Sequence, residues 1–251
     1  MWRGYWIRTR WWFFAFLILL LAQSLTNIVT FTGGASGTPA IAGISFRPFA
    51  QRPQQIVRLS DTFKGFEWAH FFRDNLPELV TLFAVLLGAA GVIPRRSGRL
   101  FTLSLPVSRE QLLMAFAVTC VCELAALALT AALSVPLFAL LAGQSFPIAD
   151  ALVYALNSFV GGAVFFFVAL LFSAIFKNWT RRAGAAIAIA VGNLIFVELF
   201  PVPGAYTPVG LMSGESYFRG GSLQLPALAA WLLVAAALFI VEVRSLEQRD
   251  F

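Results

Sequence analysis

Residues 112–141 read LLMAFAVTCVCELAALALTAALSVPLFALL, thirty positions with one ionisable side chain, Glu123. A helix needs about 20 predominantly apolar residues to cross ~30 Å of hydrocarbon, and this stretch exceeds that length. The apolar residues do not alternate with polar ones, as strands of a membrane barrel would. A helix also satisfies its own backbone hydrogen bonds in lipid. Pro136 predicts a kink or the start of the helix's far end.

Five further apolar stretches lie near residues 11–29, 76–93, 151–176, 183–200 and 226–243. The 251-residue chain is 59% hydrophobic and 12% charged, and its mean hydropathy is +0.81. Soluble domains carry about twice that charge. The expected fold is therefore all-α: one integral membrane domain over residues 1–251, with six transmembrane helices.

Basic residues set the expected orientation. Arg3, Arg8 and Arg10 precede the first span, while Arg95, Arg96, Arg99 and Arg109 follow the second. Lys177, Arg181 and Arg182 follow the fourth, and Arg244 and Arg249 follow the sixth. Twelve of the 18 basic residues thus share one side of a six-span layout. The positive-inside rule places that side, and both termini, in the cytoplasm. A bacterial-type cytoplasmic (inner) membrane is the expected location. The net charge of +6 reads as attraction to anionic membrane lipid, not to nucleic acid.

The segment MWRGYWIRTRWW, residues 1–12, suits a headgroup-layer anchor or a short helix lying on the membrane face. It is followed by an apolar run too long for a cleaved leader, so the first helix is expected to stay. Two external loops are expected, near residues 30–75 and 201–225. The first opens on a Gly- and Ser-rich stretch. It closes on GFEWAHFFRDN (65–75), whose aromatics suit an interfacial helix feeding the second span. The second, rich in Pro and Gly, reads as turns.

Several chemistries are excluded. The two lysines, Lys64 and Lys177, follow no glycine, so the chain has no phosphate-binding G-x-x-x-x-G-K-[ST] loop. His70, the sole histidine, reads as an interface residue, and no metal set is visible. Cys120 and Cys122, two apart, do not share a helix face. No catalytic serine or zinc motif can be assembled, so an enzyme is not expected. Glu123 and, nearer the span ends, Glu78 and Glu198 are the ionisable candidates. Each is expected either to contact substrate or a proton, or to tie two helices together. Glycines 88, 91, 161, 162 and 184 read as close-packing positions.

Between the second and third spans lies IPRRSGRLFTLSLPVSREQLLMAF, residues 93–116. Ser108 and Gln111 form a capping-box pattern ahead of the third helix. Gly98, Leu100, Leu105, Pro106, Val107, Ser108 and Arg109 give the order G-x-L…L-P-V-S-R, close to the pattern G-x-L…L-x-x-P-V-S-R. In this the chain resembles permease subunits of type-2 ABC transporters, the exporter-like family. The closing EVRSLEQRDF resembles their short charged tail. Two departures stand out: Arg95-Arg96-Ser97 replaces the acidic residues common before the glycine, and Phe116-Ala117 replaces a downstream basic residue.

The resemblance implies an amphipathic coupling elbow over Gly98–Arg109 that presses on a separate ATPase subunit. That partner would hold ATP and Mg, leaving no cofactor in this chain. It further implies a second permease copy or a homologous permease, with room for an accessory extracytoplasmic protein. Two other readings are a proton-coupled secondary transporter using Glu123 and a non-transporting membrane scaffold.

Overall fold

The computed structural model describes residues 2–32, 62–91, 109–176, 178–199, 206–220 and 222–247. Every regular element among them is helical. In chain order these are α1 (Trp2–Thr32), α2 (Phe63–Glu67), a π-helix (Trp68–Asn75) and α3 (Leu76–Ala90). There follow α4 (Arg109–Leu141), α5 (Ile148–Ile175), α6 (Trp179–Leu199), α7 (Pro208–Met212), α8 (Glu215–Gly220) and α9 (Leu225–Glu247). Four segments are long and apolar enough to cross a membrane: Thr9–Thr32, Glu110–Leu141, Ile148–Ser173 and Leu225–Ser245. The protein is therefore read as membrane-embedded.

Local chemistry sets the helix ends. Thr62 caps α2 by accepting from the Gly65 amide at 3.2 Å, and Thr207 caps α7 by accepting from the Gly210 amide at 3.1 Å. Pro77 and Pro208 occupy first turns, where a missing N–H costs nothing. Gly143, at φ +70°, ends α4. That helix continues through Pro136 to Leu141. Its 33 residues make a rod of about 50 Å.

Ring contacts give the relative directions. Phe31 meets Phe63 at 5.2 Å and Phe16 meets Phe83 at 5.4 Å, so α1 runs antiparallel to the α2–α3 rod. Tyr5 meets Phe116 and Thr9 meets Glu123, so α1 and α4 run parallel. Phe72 stacks on Tyr154 while Gly88 abuts Ala169, so α3 and α5 also run parallel. Helix α5 sits at the centre, packed by α3, α4, α6, α7 and α9. Glycines make the closest of these approaches possible: a Cβ on Gly88 would lie 2.4 Å from the Phe166 carbonyl oxygen. At Gly184, by contrast, an added Cβ meets nothing within 4 Å among the described residues, so the expected packing role is not seen there.

Three expectations are refined. Residues 2–12 form no separate surface helix; α1 runs unbroken to Thr32. Residues 63–75 are helical and lead directly into α3, through a π-turn that bonds the Leu76 amide to the Phe71 carbonyl. Residues 208–212 are a fully buried helix, not a solvent turn. Apolar Val209, Leu211 and Met212 gain more by burial than as exposed loop.

Candidate functional site

Glu123 is 4% exposed on α4. Its Oε1 lies 2.5 Å from Thr9 Oγ1 of α1, a hydrogen bond across 114 residues of sequence. Its Oε2 has no hydrogen-bond partner among the described residues. Glu123 is thus a tie between α1 and α4 with one acceptor left over. Thr9→Val removes the tie and leaves a buried carboxyl unsatisfied, at a cost of about 1–3 kcal/mol. The expected result is a clear drop in melting temperature in detergent, with a smaller drop for Glu123→Gln, which can still bond to Thr9.

Glu78 occupies a different place. It is 6% exposed in the first turn of α3. It lines a small half-open crevice between α3, α6 and α7, together with Thr81, Val85, Ile187, Val191 and Val209. Apart from Glu78 and Thr81, the walls are apolar. Glu123 is not among its lining residues. Glu198 falls in α6, and its side chain lies outside the described residues. The elbow positions Gly98, Leu100, Leu105, Pro106, Val107 and Ser108 also lie outside them, and Arg109 is the first residue of α4.

No protein-family model, curated protein or solved structure matches this chain. Among the described residues, no group of three or more His, Cys, Asp and Glu side chains could hold a metal ion. Cys120 is buried and Cys122 is exposed, and neither forms a disulfide among the described residues. His70 stacks on Phe66 with its Nδ1 2.9 Å from the Phe66 carbonyl oxygen.

Two acidic positions escaped the sequence reading. Asp150 is the only charged residue of α5 and sits in its first turn. It accepts from the Tyr217 hydroxyl at 2.8 Å and lies 2.6 Å from the Lys64 ammonium. A lone acid opening an apolar span was the available signal.

Glu67, on α2, is wholly buried, and neither carboxyl oxygen has a partner among the described residues. Burial disfavours its charged form and pushes its pKa up to about 8. Between the ordinary value near 4.5 and that point, the folded chain holds a proton that the unfolded chain releases. Stability is then greatest below the lower value and falls as pH rises through the window, by up to about 1.4 kcal/mol per pH unit. Melting temperatures from pH 5 to 8 should decline for the wild type and decline less for Glu67→Gln. Parallel curves would show that Glu67 carries no such proton.

Proposed function

We propose that this chain is the transmembrane subunit of an ATP-driven transporter of the type-2 ABC class, with both termini cytoplasmic and six spans. Helix directions support the span count. Because α1 and α4 run parallel, the chain must return between them, and α2–α3 makes that return. Phe167 meets Phe239 at 5.6 Å, and Val160 clusters with Leu228. Helices α5 and α9 therefore run parallel as well, leaving α6 as the return between them. Shielded by α5 and α6, α3 can cross with fewer apolar residues than a lipid-facing helix needs.

The observation that carries the reading is the position of the motif Leu105-Pro106-Val107-Ser108-Arg109. It ends on the first residue of α4, a continuous helix tied to α1 through Glu123 and packed on α5. A push at the elbow would reach the bundle interior through a rod, not through a flexible joint. ATP-driven closure of a separate ATPase pair would supply that push. Differential contact in the two states then shifts the helices. The hydrophobic crevice beside Glu78 favours lipid-like or other amphipathic cargo.

A photo-reactive side chain at position 107, activated in native membranes, tests the elbow. The expected product is one dominant adduct to an ATPase subunit carrying a phosphate-loop motif. Adducts to lipid alone would contradict the reading. A proton-coupled carrier is the second reading, favoured by the unpartnered oxygen of buried Glu123. It predicts uptake driven by a pH gradient without nucleotide and abolished in Glu123→Gln.

A further inference from the structure

We propose that residues 206–220 form a gate over the Glu78 crevice and that Asp150 is the positioning residue that latches it. The proposal rests on the transport reading for its purpose, but its geometry stands independently. Val209 of α7 is part of the crevice wall. Three residues on, Met212 is fully buried in a notch that exists because position 161 is glycine; a Cβ there would lie 2.2 Å from the Met212 side chain. The Met212 sulfur lies 3.6 Å from Thr81 Oγ1, another crevice residue. Gly214, at φ +60°, presses its backbone onto the Tyr154 ring. Trp68 donates its indole N–H to the Ser213 carbonyl at 3.1 Å and stacks on Phe218 at 4.3 Å. Residues 206–220 are therefore seated into the bundle beside the crevice.

Polar fastening is concentrated at one carboxylate. Asp150, 7% exposed, takes the Tyr217 hydroxyl from α8 and the Lys64 ammonium from α2. One side chain thus joins the start of α5, the rod that leads into α3, and the proposed gate. Behind the gate, Tyr154 and Asn157 of α5, both beside Gly214, each bury a polar oxygen with no hydrogen-bond partner among the described residues. Asn157 also lines a small crevice with Gly210, Gly214 and Tyr217. Unmet hydrogen bonds destabilise the closed form, and admitting water would satisfy them. Closed and open forms are thereby brought nearer in free energy, as a reversible gate requires. In the proposed orientation this face is external, so the gate is the outward one.

The test uses the full chain in sealed vesicles, with Cys120 and Cys122 replaced by Ala and a Val85→Cys reporter in the crevice. A charged, membrane-impermeant thiol reagent is applied from each side. Asp150→Asn should raise the labelling rate at least tenfold from the Lys64 side and leave the other side unchanged. Tyr217→Phe, which keeps the Lys64–Asp150 pair, should give a smaller rise on the same side. Unchanged rates in both variants, or equal rises from both sides, would overturn the proposal.

Should Asp150→Asn fail to fold, Trp68→Cys with Phe218→Cys, bridged by a short bis-methanethiosulfonate reagent that forms two disulfides as methanesulfinate leaves, should slow labelling at least tenfold, with recovery on reduction. An unchanged rate in the bridged form would equally overturn the proposal. This readout needs neither ATPase nor cargo. One-sided labelling without ATP-coupled transport would sink the permease reading alone, and the reverse pattern would sink the gate alone.

Discussion

Gly88→Leu should strongly destabilise the helix bundle. A Cβ at this position would lie 2.4 Å from the Phe166 carbonyl oxygen, 2.9 Å from the Leu170 amide nitrogen and 2.7 Å from the Ala169 Cβ. Two of those neighbours are backbone atoms of α5, so no side-chain rotation can make room. The whole of α3 must move away from the central helix. Overpacking usually costs about 1–3 kcal/mol, and displacing backbone puts this case at the upper end or beyond. For a chain of this size that corresponds to a fall of about 10 °C in melting temperature. The expected observation is aggregation or a broad early melt in detergent. Gly184→Leu is the control: among the described residues nothing lies within 4 Å of its added Cβ, and it should melt within about 2 °C of wild type. Equal behaviour of the two variants would contradict the α3–α5 packing.

Arg109→Glu should uncouple transport without dismantling the protein. Position 109 begins α4 and closes the P-V-S-R motif, so a reversed charge sits where the elbow enters the bundle. A cation replaced by an anion in an electrostatically matched contact turns attraction into repulsion, which costs several kcal/mol across an interface. Cargo-stimulated ATP turnover by the assembled transporter should fall at least tenfold. The melting temperature of the isolated chain should stay close to wild type. Full turnover in this variant would remove the elbow from the coupling path.

Much of the fold was legible because lipid imposes a blunt rule on composition. Residues 112–141 had to be helical, and α4 spans Arg109–Leu141. The elements that resisted reading take their structure from neighbours. Pro208 and Gly210 signal a turn, yet Val209–Met212 form a buried helix because Gly161, some fifty residues earlier, leaves a notch for Met212. The π-turn through WAHFFRDN has no local mark. Its effect appears only in three dimensions, where Trp68 meets Phe218 and Phe72 meets Tyr154.

The candidate sites divide the same way. Glu123 and Glu78 stood out as charges in or beside apolar spans, and both are buried. What each touches was not legible, since Thr9 lies 114 residues from Glu123. Glu67 and Asp150 lay just outside the apolar runs, Glu67 in a stretch that read as an interfacial helix and Asp150 at a span boundary.

The most direct test of the central claim is a gentle detergent purification of the chain from its native membrane, with mass spectrometry of what accompanies it. The permease account predicts a stoichiometric ATPase subunit bearing a phosphate-loop motif, and ATP turnover by the pair that rises with amphipathic cargo. A chain that purifies alone, reconstitutes alone and moves cargo on a proton gradient without nucleotide would contradict it.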